Sequence, residues 1–144
     1  MKDAIPDDYY TIEIGKAKLV EKGIDLSIIT YGMVVPWAVE VMASLPNIKA
    51  DILDLRTLLP WDEEAVARTV KKTNRVIVFH EDTLTGGIGG EIAAWIGEHC
   101  FTHLDAPVLR VASLDTPIPF APTLERGFLP QTRLKGKIED LLSY

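Results

Sequence analysis

The chain has 144 residues, which fits one compact domain, and its 47% hydrophobic and 25% charged residues suit a chain that buries a core. The formal net charge of −6 argues against nucleic-acid binding, which depends on clustered Lys and Arg. Cys100 is the single cysteine, so an intramolecular disulfide and a cysteine-based zinc site are excluded. These features suit a reducing compartment, and we expect a cytoplasmic protein.

The N-terminal segment carries neither a targeting signal nor the periodicity of a folded element. Residues 1–8 lack the apolar stretch that a secretory signal requires. The longest apolar runs of the chain fall far below the roughly 20 residues needed to cross a bilayer, so we expect no membrane association. We interpret residues 1–15 as a linker or arm that arrives from a missing N-terminal domain, and residues 16–144 as the folded domain.

The first half of the domain alternates between strand and helix patterns. A short strand is predicted at 16–20, and a buried strand at Ile24–Thr30, where branched apolar residues dominate. Apolar residues then recur at helical spacing over 34–45, with Pro36 tolerated in the first turn. The segment 50–55 returns to strand character. An N-cap at Asp62 predicts the start of a second helix, with acids in its first turn and lysines in its last.

The second half continues the alternation. The unbroken apolar run in Arg75–Phe79 predicts a strand covered on both faces, followed by a helix around Ile92–Ile96 and a strand at Val108–Ala112. Residues 114–131 are rich in proline and are predicted to cross the surface without regular structure, before an amphipathic helix over Leu134–Leu142. This pattern predicts a doubly wound α/β fold with a parallel sheet, whose carboxyl edge is the place to search for ligands.

Three candidate features lie at that edge. His80 could act as a general base that Glu81 holds in orientation. Adjacent strand residues face opposite sides, however, so we interpret the two as an interface or loop anchor. The loop at Gly86 and Gly87 precedes a helix N-terminus, which favours anions, although close helix packing is the preferred interpretation. Arg56 could contribute a charge to such an anion loop. We predict no catalytic, cofactor-binding or metal-binding residue, because no metal-ligand spacing or nucleophile motif is present.

Four stretches, in register, resemble the C-terminal domain of the β subunit in the first, decarboxylating component of pyruvate and branched-chain 2-oxo acid dehydrogenases. These stretches are 10–17, 54–62, 80–92 and 104–111. The resemblance implies a three-layer α/β/α sandwich of the transketolase C-terminal type, with a five-stranded mixed sheet whose first strand is antiparallel. It also implies that thiamine diphosphate and magnesium bind in parts of the enzyme outside this domain, so the isolated domain is expected to be inactive.

The resemblance further implies a role in assembly. In the family, an acid at the position of Asp105 and the terminal carboxylate, here on Tyr144, hold basic residues of the subunit-binding domain of the dihydrolipoyl acyltransferase. The α subunit and a second β subunit are the other expected partners. The expected activity of the intact enzyme is oxidative decarboxylation of a 2-oxo acid with acylation of lipoyl groups, and 2-oxoisovalerate is favoured over pyruvate.

Other interpretations remain open at this point. Considered without the resemblance, Asp105 is a common type of turn residue before Ala106 and Pro107. The chain could instead be a stand-alone anion- or nucleotide-binding module that uses the glycine loop and Arg56. A transketolase or deoxyxylulose-phosphate synthase domain would share the same fold.

Overall fold

A computed structural model describes residues 7–144, which form a five-stranded sheet between two helical layers. The strands are β1 (Lys18–Glu21), β2 (Leu26–Thr30), β3 (Ala50–Asp54), β4 (Val76–Thr83) and β5 (Leu109–Ser113). They lie in the order β1-β3-β2-β4-β5. Strands β2 to β5 are parallel, and β1 pairs antiparallel with β3. The expected mixed sheet is therefore confirmed.

The described part of the chain has five helices, and four of them cover the two faces of this sheet. The five are α1 (Val34–Ala43), α2 (Glu63–Thr73), α3 (Gly89–Cys100), α4 (Pro122–Phe128) and α5 (Gln131–Leu142), with a 3-10 turn at Phe101–His103. Helices α1 and α5 pack on one face, and α2 and α3 pack on the other. The expected three-layer α/β/α sandwich is confirmed.

Alternation along the central strands builds both layers of the core. In β2, Ile28 faces α1 and α5, whereas its neighbour Ile29 faces α2 and α3. In β4, Ile77 and Val78 divide in the same way. Because successive side chains point to opposite faces, a strand covered on both sides must be apolar throughout, which explains the unbroken apolar runs in the sequence.

Asp62 caps α2 as the sequence predicts and also connects it to β1. One carboxylate oxygen accepts the N–H of Ala65 at 3.0 Å, and the other accepts the N–H of Ala17 at 3.1 Å. Burial raises the pKa of the Asp62 carboxyl, but these hydrogen bonds outweigh burial and hold the pKa below its usual range. A single cap therefore fixes both the start of α2 and the approach to the first strand.

The structure corrects the prediction in two places. Residues 114–131 include α4, which begins with Pro122 in its first turn and ends at the buried side chain of Phe128. Strand β4 continues to Thr83, so His80 and Glu81 lie within the strand rather than after it. The register with β5 shifts between Phe79 and Thr83, which allows the strand to pair again after an irregular stretch.

The predicted arm lies partly outside the described residues, since the description starts at residue 7. Residues 7–15 form neither helix nor strand, and Tyr9 and Ile14 are largely exposed. None of the helices in the range 7–144 combines the length and the apolar character required to span a membrane.

Candidate functional site

The carboxyl edge of the sheet is organised around a buried histidine. Strand β4 places the side chain of His80 at 0% exposure, and the ring of Tyr31 lies nearly parallel to it, with centroids 6.4 Å apart. Within residues 7–144, neither ring nitrogen of His80 has a hydrogen-bond partner. Burial lowers the pKa of His80, Asp82 partly opposes this effect, and Arg110 adds to it. A neutral imidazole that is enclosed in this way suits a packing role.

The glycine loop closes over that histidine. Gly86 has a φ of 82°, a conformation that glycine adopts without strain. A Cβ on Gly87 would lie 2.8 Å from Cε1 of His80, so only glycine permits this approach. Asp115 holds the loop from the other side, because its carboxylate accepts the N–H and the hydroxyl of Thr85 at 2.8 and 2.7 Å. The geometry thus supports tight packing of the loop.

The other candidates at this edge do not join the loop. Glu81 is exposed, whereas His80 is buried. Arg56 follows β3, and β2 lies between β3 and β4, so about 10 Å of sheet separates Arg56 from the glycine loop. Its backbone is held at a φ of 58° by a hydrogen bond from its own N–H to the carboxylate of Asp54. The structure brings Tyr31 to His80 and leaves Arg56 apart.

The opposite, amino edge of the sheet carries Asp105, one of the two predicted partner residues. Asp105 precedes β5, and its carboxylate lies 3.7 Å from Nη1 of Arg75. The other predicted partner residue, Tyr144, follows helix α5, which ends at Leu142. Tyr144 is 67% exposed.

A groove of about 560 Å³ lies beside Asp105, between the end of α3 and the segment that enters β5. Phe101 is 74% exposed at its wall. The other apolar lining residues include Ala93, Gly97, Leu104 and Pro107. In the sequence, the one sign of this groove is an aromatic residue, Phe101, placed just after a helix rather than on its apolar face.

The described residues do not fit the magnesium-bound diphosphate that the resemblance implies for the intact enzyme. Residues 7–144 bring together no group of three or more His, Cys, Asp or Glu side chains that could hold a metal ion. At the helix N-terminus beside the glycine loop, Gly87 and Gly89 pack closely against the His80 ring. No chemical step through the cofactor is derived from this domain.

Comparison with known proteins places these features in a family context. The family model described as "Transketolase, C-terminal domain" matches residues 15–133. The chain is 42% identical over 132 residues to the 2-oxoisovalerate dehydrogenase subunit beta of Bacillus subtilis (strain 168). The aligned residues make up 90% of this chain and 40% of that relative. The chain is also 41% identical over 133 residues to the pyruvate dehydrogenase E1 component subunit beta of Porphyra purpurea, covering 91% of this chain and 40% of the relative.

A solved structure gives the same picture of the fold. The chain is similar to a split-gene transketolase, described as an inactive beta4 tetramer, with a TM-score of 0.77, 24% identity, and coverage of 97% of this chain and 45% of the other. At that identity the likeness concerns the fold alone. The chain spans 40% of the length of each of the two curated relatives above.

Proposed function

This chain belongs to the transketolase C-terminal domain family, and from that premise we propose that it is the C-terminal assembly domain of the β subunit of a thiamine-diphosphate-dependent 2-oxo acid dehydrogenase. The observation that carries the proposal is the 42% identity to a β subunit across 90% of this chain. In this proposal residues 16–144 form the domain, and residues 1–15 connect it to the rest of the subunit. The cofactor, the magnesium ion and the reacting substrate bind outside the domain, which is inactive alone.

The proposed docking surface is the amino edge of the sheet. Asp105 has 54% of its side chain exposed, and Arg75 is its ion-pair partner at 3.7 Å. Exposed pairs of this length contribute about 0–1 kcal/mol, so a basic residue of a partner could replace Arg75 at little cost. In this proposal the carboxylate of Asp105, together with the carboxylate that follows Tyr144, attracts a basic partner.

The groove beside Asp105 supports the same proposal. Its walls are largely apolar, and the ring of Phe101 stands exposed at one side. Interfaces gain most of their affinity from apolar anchors in pockets, while rim charges guide encounter and register. The partner that fits this surface is a small domain with clustered basic residues and one apolar anchor. We propose that this partner is the subunit-binding domain of the dihydrolipoyl acyltransferase, whose basic residues pair with Asp105 and whose apolar anchor enters the groove.

The remaining parts of the proposal concern substrate, partners and compartment. We propose 2-oxoisovalerate as the preferred substrate of the intact enzyme, on overall similarity. The chain is 42% identical to the 2-oxoisovalerate dehydrogenase subunit and 41% identical to the pyruvate dehydrogenase subunit. Contacts with an α subunit and a second β subunit belong to the same proposal. The single cysteine, Cys100, is free and buried, which suits the reducing cytoplasm.

Calorimetry tests the docking role. The chain is titrated with the isolated subunit-binding domain of a dihydrolipoyl acyltransferase, and separately with ATP and with inorganic phosphate. Saturable binding of the subunit-binding domain, which weakens as salt is added, is the expected result. Saturable heat with ATP but none with the subunit-binding domain would replace the assembly role with the stand-alone nucleotide-binding module.

A further inference from the structure

A second cavity, of about 290 Å³, lies along the outer edge of β5. Strand β5 is last in the sheet order, so one of its edges pairs with no other strand in the described chain. The walls contain apolar side chains, and three cations surround them: Arg110, Arg133 and Lys137. This cavity shares no lining residue with the groove at Asp105.

Arg133 contributes a positive charge that its hydrogen bonds do not neutralise. Its guanidinium donates to the carbonyl oxygens of Ala112 at 2.6 Å, Phe128 at 3.0 Å and Gly127 at 3.1 Å. These carbonyl groups accept from three of the five guanidinium donors and carry no net charge. Among residues 7–144 no carboxylate forms an ion pair with Arg133. Burial lowers the pKa of Arg133, yet an arginine stays protonated in proteins.

The other two cations increase the positive potential. Arg110 donates to the carbonyl of Leu84 at 2.8 Å, another neutral acceptor. Lys137 pairs with Asp140 at 2.8 Å, but both side chains are about half exposed, so water screens that pair. Asp115 is the one acid that lines the cavity, and Thr85 occupies its carboxylate. The three cations outnumber this one carboxylate, which keeps its charge, so the lining of the cavity is net positive.

We propose that this cavity binds a small organic carboxylate that carries a short apolar chain. The cations supply charge-assisted hydrogen bonds for the carboxylate group. Leu84, Val111, Ala112 and Leu114 contribute to the lining and provide apolar surface for the chain. The volume lies at the small end of ligand pockets, which run from about 300 to about 1,000 Å³, so the ligand has few non-hydrogen atoms. The inference does not depend on the assembly role.

Titration of the ¹⁵N-labelled chain with 3-methylbutanoate tests the site by NMR. We expect saturable shifts of the amide resonances of residues 110–115 and of the Nε resonance of Arg133. The matched probes are 3-methylbutan-1-ol, which keeps the chain and lacks the charge, and inorganic phosphate, which keeps the charge and lacks the chain. Each should bind at least about tenfold more weakly than the carboxylate. Equal binding of either probe, or shifts confined to other regions, would overturn the proposal.

Variants that remove one charge provide the second test. Arg110→Gln and Lys137→Gln should each weaken the binding of 3-methylbutanoate by about fivefold, the effect expected for a partly exposed charge pair. The control is Lys135→Gln, which removes the same charge from α5 at an exposed position that does not line the cavity. An affinity that is the same in all three variants and the parent chain means that the cations do not hold the carboxylate, and the site is rejected.

Discussion

A Cβ atom on Gly89 would overlap Nε2 of the buried His80 ring. Gly89 is the first residue of α3, so the imidazole packs directly beneath the start of that helix. The positive end of the helix dipole lies there and disfavours a charged imidazolium. The glycine is therefore required by a close approach between helix and strand, and the buried His80 ring fills the space beneath the helix.

Gly89→Ala tests this packing. The added methyl group must displace the His80 ring or the first turn of α3, so we expect the free energy of unfolding to fall by about 2 kcal/mol, measured by urea denaturation. The control is Gly97→Ala in the same helix, where an added Cβ meets nothing within 4 Å. That change should raise the free energy of unfolding by about 0.5–1 kcal/mol through helix propensity. Similar effects of both substitutions would show that His80 does not restrict position 89.

His80 also predicts how stability depends on pH. Burial is the main cause that lowers the pKa of His80 below its ordinary value of 6.5. The unfolded chain therefore takes up this proton at a higher pH than the folded chain. The stabilisation from the neutral ring is complete above pH 6.5 and is lost as the pH falls below that value. The carboxyl groups of Asp51 and Asp62, whose pKa values are lowered from 3.8, titrate at lower pH and do not overlap this window.

Urea denaturation at about pH 7.5 and about pH 5.5 measures the effect. In the parent chain the free energy of unfolding should be lower at the acid pH. His80→Phe should remove most of that difference, whatever its effect on stability at neutral pH. The double variant His99→Gln, His103→Gln removes the other two histidines of the chain, which are exposed, and should retain the difference. A pH dependence that survives His80→Phe and disappears in the double variant would contradict this account.

Local signals in the sequence were enough to predict the strands, most helices and one cap. The apolar run of β4 and the capping pattern at Asp62 depend on neighbours in the chain, so periodicity and residue type are sufficient to identify them. Helix α4 was missed because its prolines were interpreted as breakers, whereas Pro122 occupies the first turn and Phe128 anchors the helix in the core. In that segment tertiary burial overrides local propensity.

The sites were harder to predict because they depend on contacts between distant segments. Asp51 lies in a strand of apolar pattern, yet its buried carboxylate accepts from the N–H of Gly23, the hydroxyl of Thr69 and the ammonium of Lys72. The cations around the β5 cavity come from two separate segments, Arg110 on β5 and Arg133 and Lys137 on α5, and they converge only when α5 packs on the sheet. Neither arrangement leaves a periodic signal in the chain.

Arg56 provides a test of backbone strain. Its φ of 58° lies in the left-handed region, which costs a non-glycine residue of this kind about 1 kcal/mol. Arg56→Gly should therefore raise the free energy of unfolding by about 0.5 kcal/mol, after the entropy lost by glycine is counted. The control, Arg56→Ala, removes the same side chain, keeps the strain, and should change the free energy of unfolding little. If the alanine variant is stabilised as much as the glycine variant, the effect comes from the side chain and not from the backbone.

The proposed docking surface predicts that Asp105→Asn weakens binding of the acyltransferase subunit-binding domain while the melting temperature changes little. Its pair with Arg75 is half exposed, so folding gains little from it. A charge pair that forms across the interface is worth more, and its removal by the substitution should cost about 2 kcal/mol of binding free energy, or roughly a thirtyfold change in Kd. Removal of Tyr144 moves the terminal carboxylate and should weaken binding in the same assay. Glu139→Gln, an equal charge change at an exposed position of α5, should leave Kd unchanged. If Glu139→Gln weakens binding as much as Asp105→Asn, attraction is a property of the overall negative charge, and Asp105 makes no specific contact.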